Sequence, residues 1–149
     1  MGQTSDYTNA INAYVGFQTG TSAASFTNVS GFSNNVTVSG GDRDSGEEYT
    51  HDGGAIILTG ARKPVEVTVR AVFTNSVSDP YSVLWNCYAG GSLVNLQWAP
   101  SGSASGNLLF KTVGGKLLKM PIVSAPATDA KPNMFEFSVS ANQIDKSTI

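Results

Sequence analysis

Histidine and cysteine each occur once in this chain of 149 residues, as His51 and Cys87, and that scarcity removes whole classes of chemistry. A lone cysteine excludes an internal disulfide and a cysteine-based zinc cluster, so stability has to come from packing or from partners. A lone histidine leaves one base for any nucleophile, and Asp52 cannot easily orient its ring from the adjacent position. Nucleophile, base and orienter cannot be assembled, so the chain reads as a non-enzyme with no cofactor and no metal. Charge is scarce too, at 13% of residues against ~25% in an average soluble domain. Nine Lys and Arg against eleven Asp and Glu leave a formal net charge of −2. That excludes a protein living on electrostatic grip of nucleic acid, which needs a basic surplus, and it weakens a membrane-surface role. No run approaches the ~18 uninterrupted apolar residues of a spanning helix. The amino end, MGQTSDYTNAINAYVG, lacks the basic start and apolar run of a secretory signal, and Asp6 stands where a myristoylation motif needs Ser or Thr. A chain made and kept in the cytosol is the expectation.

Two partial motifs fail on spacing. Asp42 and Asp44 could open a calcium loop, but Gly46 and Gly53 then occupy ligand positions, so these acids read as solvated. The Gly102–Gly106 stretch lacks the Lys-Ser/Thr of a phosphate loop. The sequons at Asn28 and Asn35 carry little meaning without a secretion signal.

What the chain has in abundance is Gly (16), Ser (18) and Thr (13), a turn-rich profile suited to short strands. The length fits one domain. Residues 1–25 are polar and small and read as an arm with weak local structure, followed by a domain over 26–149. Phe26 to Ser39 alternates loosely as a half-buried strand, and Ala55 to Thr59 reads as an apolar strand closed by Gly60. Val65 to Phe73 alternates most clearly, with Val65, Val67, Val69, Ala71 and Phe73 against Glu66, Thr68 and Arg70. Asp79 and Pro80 open a helix over about 79–89 whose Tyr81, Leu84, Trp85 and Tyr88 form one stripe, stopped by Gly90 and Gly91. The stripe reads as core packing against a sheet, and Cys87 as a small buried hydrophobe. Leu93 to Trp98 alternates again. Leu108 to Val113 and Lys116 to Val123 read as a hairpin around Gly114-Gly115, with Leu118, Met120 and Ile122 on one face. Met134 to Ser140 is the last strand, and Asn142 to Ile149 a tail, mobile or clamped by a neighbour. The candidate core is Val67, Val69, Phe73, Leu84, Trp85, Leu96, Trp98, Phe110, Phe135 and Phe137. The sum is an all-β fold, a β-sandwich or small barrel of antiparallel strands with one flanking α-helix.

Charge is unevenly placed. Up to Gly53 there are six acids and one base, net −5; from Gly54 onward eight bases and five acids give +3. The two parts can pair within one molecule or between copies meeting head to tail. Five of the six acids of the first part lie in Gly40–Gly54, which reads as a long exposed loop and, at that length, as a contact element.

The order of segments resembles a known family. It runs through Glu48-Tyr49-Thr50-His51-Asp52-Gly53, Ile56-Ile57, Gly60 and the strand from Lys63 to Thr74. Asp79-Pro80-Tyr81, Leu84-Trp85, Leu96 to Gly102, Gly106-Asn107 and Phe110-Lys111-Thr112 continue it. This pattern is similar to the major tail tube protein of long-tailed, siphovirus-type bacteriophages, from about Gly31 to Ile144. The resemblance implies a virion structural protein whose hexameric rings stack into a hollow conduit for genome delivery, a fold shared with the needle protein of type VI secretion. It implies self-assembly, tape-measure, tail terminator and distal tail proteins as partners, and passage of double-stranded DNA without specific binding. The expected location is the virion tail, with host cytoplasm during assembly. The loop would reach an adjacent subunit or ring through Asp42, Arg43, Asp44, Glu47, Glu48, Tyr49, Thr50, His51 and Asp52, with Arg62, Lys63 or Lys119 as candidate basic partners. The competing readings are a secretion-needle ring protein and a monomeric decoration or carbohydrate-binding sandwich, the last requiring exposed aromatics in a groove.

Overall fold

Branched apolar residues alternating with polar ones bury one face of a strand, and this chain builds its fold on two such stretches. The computed structural model describes residues 13–20, 25–122 and 133–149. In chain order the elements are β1 (Tyr14–Gly20), β2 (Thr27–Asn28), β3 (Ser33–Gly40), β4 (Arg43–Tyr49), β5 (Ala55–Arg62), β6 (Val65–Val72) and α1 (Pro80–Gly90). Then come β7 (Leu93–Ala99), β8 (Leu108–Val113), β9 (Lys116–Leu117), β10 (Met134–Ala141) and β11 (Gln143–Thr148). β6 and β10 pair antiparallel along their whole lengths, Met134 opposite Val72 and Ala141 opposite Val65. This sets Val67 against Val139 and Val69 against Phe137 on the buried face. β3 adds to the other edge of β6, so that Val36 lies opposite Val69.

The rest of the main sheet is held by two long bent strands. β8 and β9 both run along β7, but Gln97 pairs with Lys111 while Leu93 pairs with Lys116, so one extra residue is accommodated between them. β10 and β11 pair with β9 and β8 in one continuous register, Val139 with Leu117 and Gln143 with Val113. Gly114-Gly115 is therefore a bulged corner inside one strand, not the turn of the hairpin expected from the sequence. A bulge bends its strand and sharpens the twist, and the sheet curls into a half barrel. β1 pairs with the other edge of β7 from Tyr14 to Gly20, with β2 outside it.

Side chains supply what the corner removes from the ladder. The Leu96 N–H donates to the Thr112 hydroxyl at 2.9 Å, and that hydroxyl donates to Asn95 Oδ1 at 3.2 Å. Asn95 Oδ1 also accepts the Gly115 N–H at 2.8 Å, and Asn95 Nδ2 donates to Gln18 Oε1 at 3.3 Å. Gln18, Asn95 and Thr112 are all buried. Gly114 sits at φ 67°. A Cβ on Gly115 would overlap the Val94 carbonyl oxygen and come within 2.8 Å of Asn95 Oδ1 and Val139 Cγ1.

α1 closes the core, packing over β1, β7 and β9. Asp79 stands at its start in extended backbone, with its carboxylate taken by the Thr74 hydroxyl, and Gly91 in the left-handed region ends it. Leu84 and Cys87 point inward. Tyr81 meets Phe73 and Phe135 edge-on at 4.8 and 5.0 Å between centroids.

Several sequence expectations are corrected by these contacts. Trp85 is not core: it is 39% exposed, because the buried face of α1 is centred on Pro80, Leu84 and Cys87 and Trp85 stands about 100° round the helix from Leu84. Phe73 and Trp98 are partly buried against the core, and Phe110 is half-buried and stacked on Trp98. Within residues 1–25, Tyr14–Gly20 is a full strand with Val15 and Phe17 buried; residues 1–12 and 21–24 lie outside the described residues. Phe26 to Ser39 is two strands, interrupted where Ser30 accepts the Val15 N–H. The returning arm ends at Leu117, leaving Met120 buried and Leu118 and Ile122 exposed, while the expected Pro-Ala loop over 124–132 lies outside the described residues. The tail is β11, paired to β8 from Gln143 to Thr148.

The corner makes a direct prediction. Gly115→Ala should cost about 2–4 kcal/mol, because the obstructing atoms are backbone and a satisfied amide. Gly31→Ala, which meets nothing within 4 Å, should stay within about 0.5 kcal/mol. Urea unfolding of the two variants beside the parent checks both, and equal midpoints would dismiss the corner as a constraint.

Candidate assembly surface

β4, RDSGEEY, has a single large apolar residue and no face to bury, so it gains order only by pairing with β5. The two form a separate two-stranded sheet, Ser45 opposite Thr59 through Tyr49 opposite Ala55, with every residue exposed. The expected long loop of Gly40–Gly54 is thus mostly the first strand and tip of a hairpin. At ~3.3 Å per residue, strands of this length reach roughly 23 Å from the main sheet. The base is fastened by Lys63 N–H to Asp42 carbonyl at 2.7 Å and Gly41 N–H to Pro64 carbonyl at 3.2 Å.

The tip is a closed polar turn. Thr50 N–H donates to the Gly54 carbonyl at 2.8 Å, Gly53 N–H to the Thr50 carbonyl at 3.0 Å, and the Thr50 hydroxyl to the Asp52 carboxylate. That hydroxyl bond, helped by backbone N–H groups, holds the Asp52 pKa below its ordinary value. Asp52 is thereby engaged by Thr50, and His51 is exposed at the tip. Along β4, a hydrogen bond with Glu47 raises the Tyr49 hydroxyl pKa.

Opposite residues on paired strands share a face, which gives the hairpin two apolar-acidic faces. One carries Ile56 and Leu58 with Glu48; the other carries Ile57 and Ala55 with Tyr49 and Glu47. Ile56, Ile57 and Leu58 are 51%, 68% and 66% exposed. Three consecutive branched residues in solvent on a projecting ribbon form an apolar patch of the kind that makes a candidate contact surface. The apolar run of Ala55–Thr59 marks a strand but not its exposure; the sequence signal for that is the neighbouring strand, which offers acids and, besides Tyr49, no large apolar partner.

The charge pairing expected between copies is partly internal. Lys63 Nζ lies 3.3 Å from Asp44 Oδ1, both exposed, and Arg43 donates to the Gly60 carbonyl at 3.3 Å. Arg62 ends β5 opposite Arg43. Lys119 belongs to a different surface, a hollow of about 370 Å³ lined by Glu66, Thr68, Leu118 and Glu136 among others. Among the described residues no group of three or more His, Cys, Asp or Glu is placed to hold a metal, and no helix is long and apolar enough to cross a membrane.

No sequence-family model matches the chain, and no curated protein does. Solved structures do. The chain is similar to a protein in the PVC sheath-tube complex of an extracellular contractile injection system, at TM-score 0.65 and 12% identity over 97% of this chain and 94% of the other. It is similar to a protein of the anti-feeding prophage tube terminating cap, at TM-score 0.66 and 12% identity over 100% and 96%. It is also similar to a tail protein of a gene transfer agent particle, at TM-score 0.63 and 10% identity over 96% and 99%. The chain shares its fold with components of phage-tail-like tubes and their caps.

Cys87 offers a chemical check on the folded unit. Burial, outweighing a hydrogen bond with Thr19, raises its thiol pKa above the ordinary value. At pH 8 the native thiol should react with a disulfide reagent at least tenfold more slowly than in urea, since the thiolate is the nucleophile. Equal rates would mean that α1 does not shield it.

Proposed function

We propose that this chain is a tube-forming structural subunit of a phage tail or related particle, with no catalytic role. Copies join through sheet edges into rings of six, and rings stack into a hollow conduit for double-stranded DNA, which passes without specific binding. The observation that carries the reading is an uncharged sheet margin, uncovered by any described strand, beside a hairpin exposed on both faces. β3 has eight residues, SNNVTVSG, without charge or proline, and its outer edge pairs with no described strand. Monomeric proteins protect such an edge with charge, proline or a covering element. A closed ring of copies removes it altogether.

The tube and cap neighbours support this reading at the level of fold. The six-fold symmetry of the gene transfer agent tail supports the ring number. In a tail of this kind the partners are other copies, a tape-measure protein, and terminator and distal tail proteins; the location is the virion tail after assembly in host cytoplasm. A siphovirus-type tail follows from the sequence resemblance. A contractile injection tube is the second reading, favoured by the likeness to the PVC and anti-feeding prophage proteins.

Negative-stain microscopy of the purified chain should show rings or tubes, and single particles at every concentration would refute the proposal. Replacing Arg43–Arg62 by a two-residue glycine link joins Asp42 to Lys63, whose backbones already bond at 2.7 Å. That variant should keep its β-sheet circular dichroism and cooperative unfolding but form no tubes. Tubes of normal length would show that the hairpin is dispensable.

A further inference from the structure

α1 and its approach carry a second unpartnered apolar surface, on the flank beside the helix's buried face. The eleven residues PYSVLWNCYAG contain no charge, whereas the solvent face of a helix on a globular domain is ordinarily charged or polar. Tyr81, Trp85 and Tyr88 recur at helical spacing along that face, with Trp85 stacked on Tyr81 at 6.3 Å and Tyr88 tilted against Trp85 at 5.9 Å. A cleft of about 540 Å³ lies there, lined by Val77, Tyr81, Ser82, Trp85, Asn86 and Ile122. Val77 and Ile122 form its rims at 85% and 86% exposed.

The floor of the cleft is rigid before anything binds. The Tyr81 hydroxyl donates to the Pro121 carbonyl at 2.9 Å, and its ring is wedged against Phe73 and Phe135. A preorganised aromatic floor loses little side-chain entropy on docking. An apolar cavity of about 150 Å³ holds one benzene, so this cleft has room for two or three aliphatic side chains.

We propose that the cleft receives the β4–β5 hairpin of a second copy, through Ile56 and Leu58. The inference rests on the assembly reading above and names the receiving surface. Ile56 and Leu58 lie on one hairpin face, about 7 Å apart along the strand, against an aromatic stripe whose successive residues are about one helical turn apart. Charge agrees with the fit. The cleft lining holds no carboxylate, and the nearby Asp79 carboxylate is already engaged by Thr74. Glu48 shares the face of Ile56 and meets no acid in that lining. The chain's own hairpin does not fill the cleft, because no β4 or β5 residue lines it and those strands pair only with each other. Since the inserting and receiving surfaces differ, the contact is heterologous and propagates from copy to copy.

The test is a covalent ladder. A chain with Cys87→Ala, Leu58→Cys and Asn86→Cys is oxidised under assembly conditions and run on non-reducing denaturing gels, beside chains carrying Cys87→Ala and only one new cysteine. The doubly substituted chain should give a ladder of multimers, and the single-cysteine chains at most dimers, because a disulfide forms only where Cα atoms approach within about 7 Å. Tubes in the microscope with no ladder would overturn this docking site and leave the assembly reading standing. Neither tubes nor ladder, with unsubstituted chain also monomeric, would overturn both. Leu58→Lys, in an exposed position that should not disturb folding, should raise the concentration needed for assembly at least tenfold; an unchanged threshold counts against the contact. Protection of Trp85 fluorescence by soluble oligosaccharides, without any ladder, would assign the cleft to a sugar instead.

Discussion

The buried polar bridge at the corner of the main sheet is the constraint on which the rest of this molecule turns. A curled sheet requires one strand to bend across its neighbour, and bending takes backbone N–H groups out of reach of their ladder partners. An unsatisfied buried donor costs about 1–3 kcal/mol, so the bend is tolerable only where side chains replace the lost acceptors. Thr112 and Asn95 do so for Leu96 and Gly115. Gln18 ties the same amide to β1, so three strands depend on one set of polar atoms. Because every member is fixed by the others, the network also specifies where the extra residue sits, and thereby the register of β8 and β9 along β7.

With curvature secured there, the core needs nothing from the hairpin. The fully buried side chains, among them Leu84, Leu96, Val67, Val69, Val94 and Val139, all lie in the main sheet and helix. Each contributes roughly 1.5–3 kcal/mol by leaving water. β4 and β5 contribute no buried residue, and an isolated two-stranded ribbon is marginal in water. Its order rests on backbone pairing, the Thr50–Asp52–Gly54 turn and the exposed Asp44–Lys63 pair. Such an exposed pair is worth under about 1 kcal/mol. Folding thus draws no buried contact from the hairpin, which is left free for the contact proposed above.

This uneven burial also explains which features were legible in the sequence. β6 and β10 bury alternate residues, and their alternation could be read directly; α1 was bounded by Asp79-Pro80 and Gly91. β4 was invisible because strand patterning records burial, and a strand with both faces in solvent leaves no such record. Gly114-Gly115 has the composition of a tight turn, and only the approach of Val94, Asn95 and Val139 shows that a close passage, not a reversal, requires glycine there. Trp85 follows the spacing of Leu84 and Tyr81 but lies off the face of α1 that Pro80, Leu84 and Cys87 bury. Of the residues expected at the contact surface, Arg43 to Asp52 do project together, while Lys63 turns inward to Asp44 and Lys119 lies on another face.

The energetics of the proposed contact favour rings over pairs. Two aliphatic side chains entering an aromatic cleft bury far less than the roughly 1,000 Å² expected of a stable protein–protein interface, so one hairpin docking alone is weak. Two free subunits at low concentration would separate. In the proposed assembly, six copies joined through their sheet margins would present six hairpins to the six clefts of a second ring in a fixed arrangement. The later dockings then proceed at high effective concentration, and avidity can exceed single-site affinity by about 10²–10⁴. In that proposed assembly, weakness of the individual contact would be useful: it would keep free subunits from stacking before a ring exists, and make ring closure through the sheet edges the committing step.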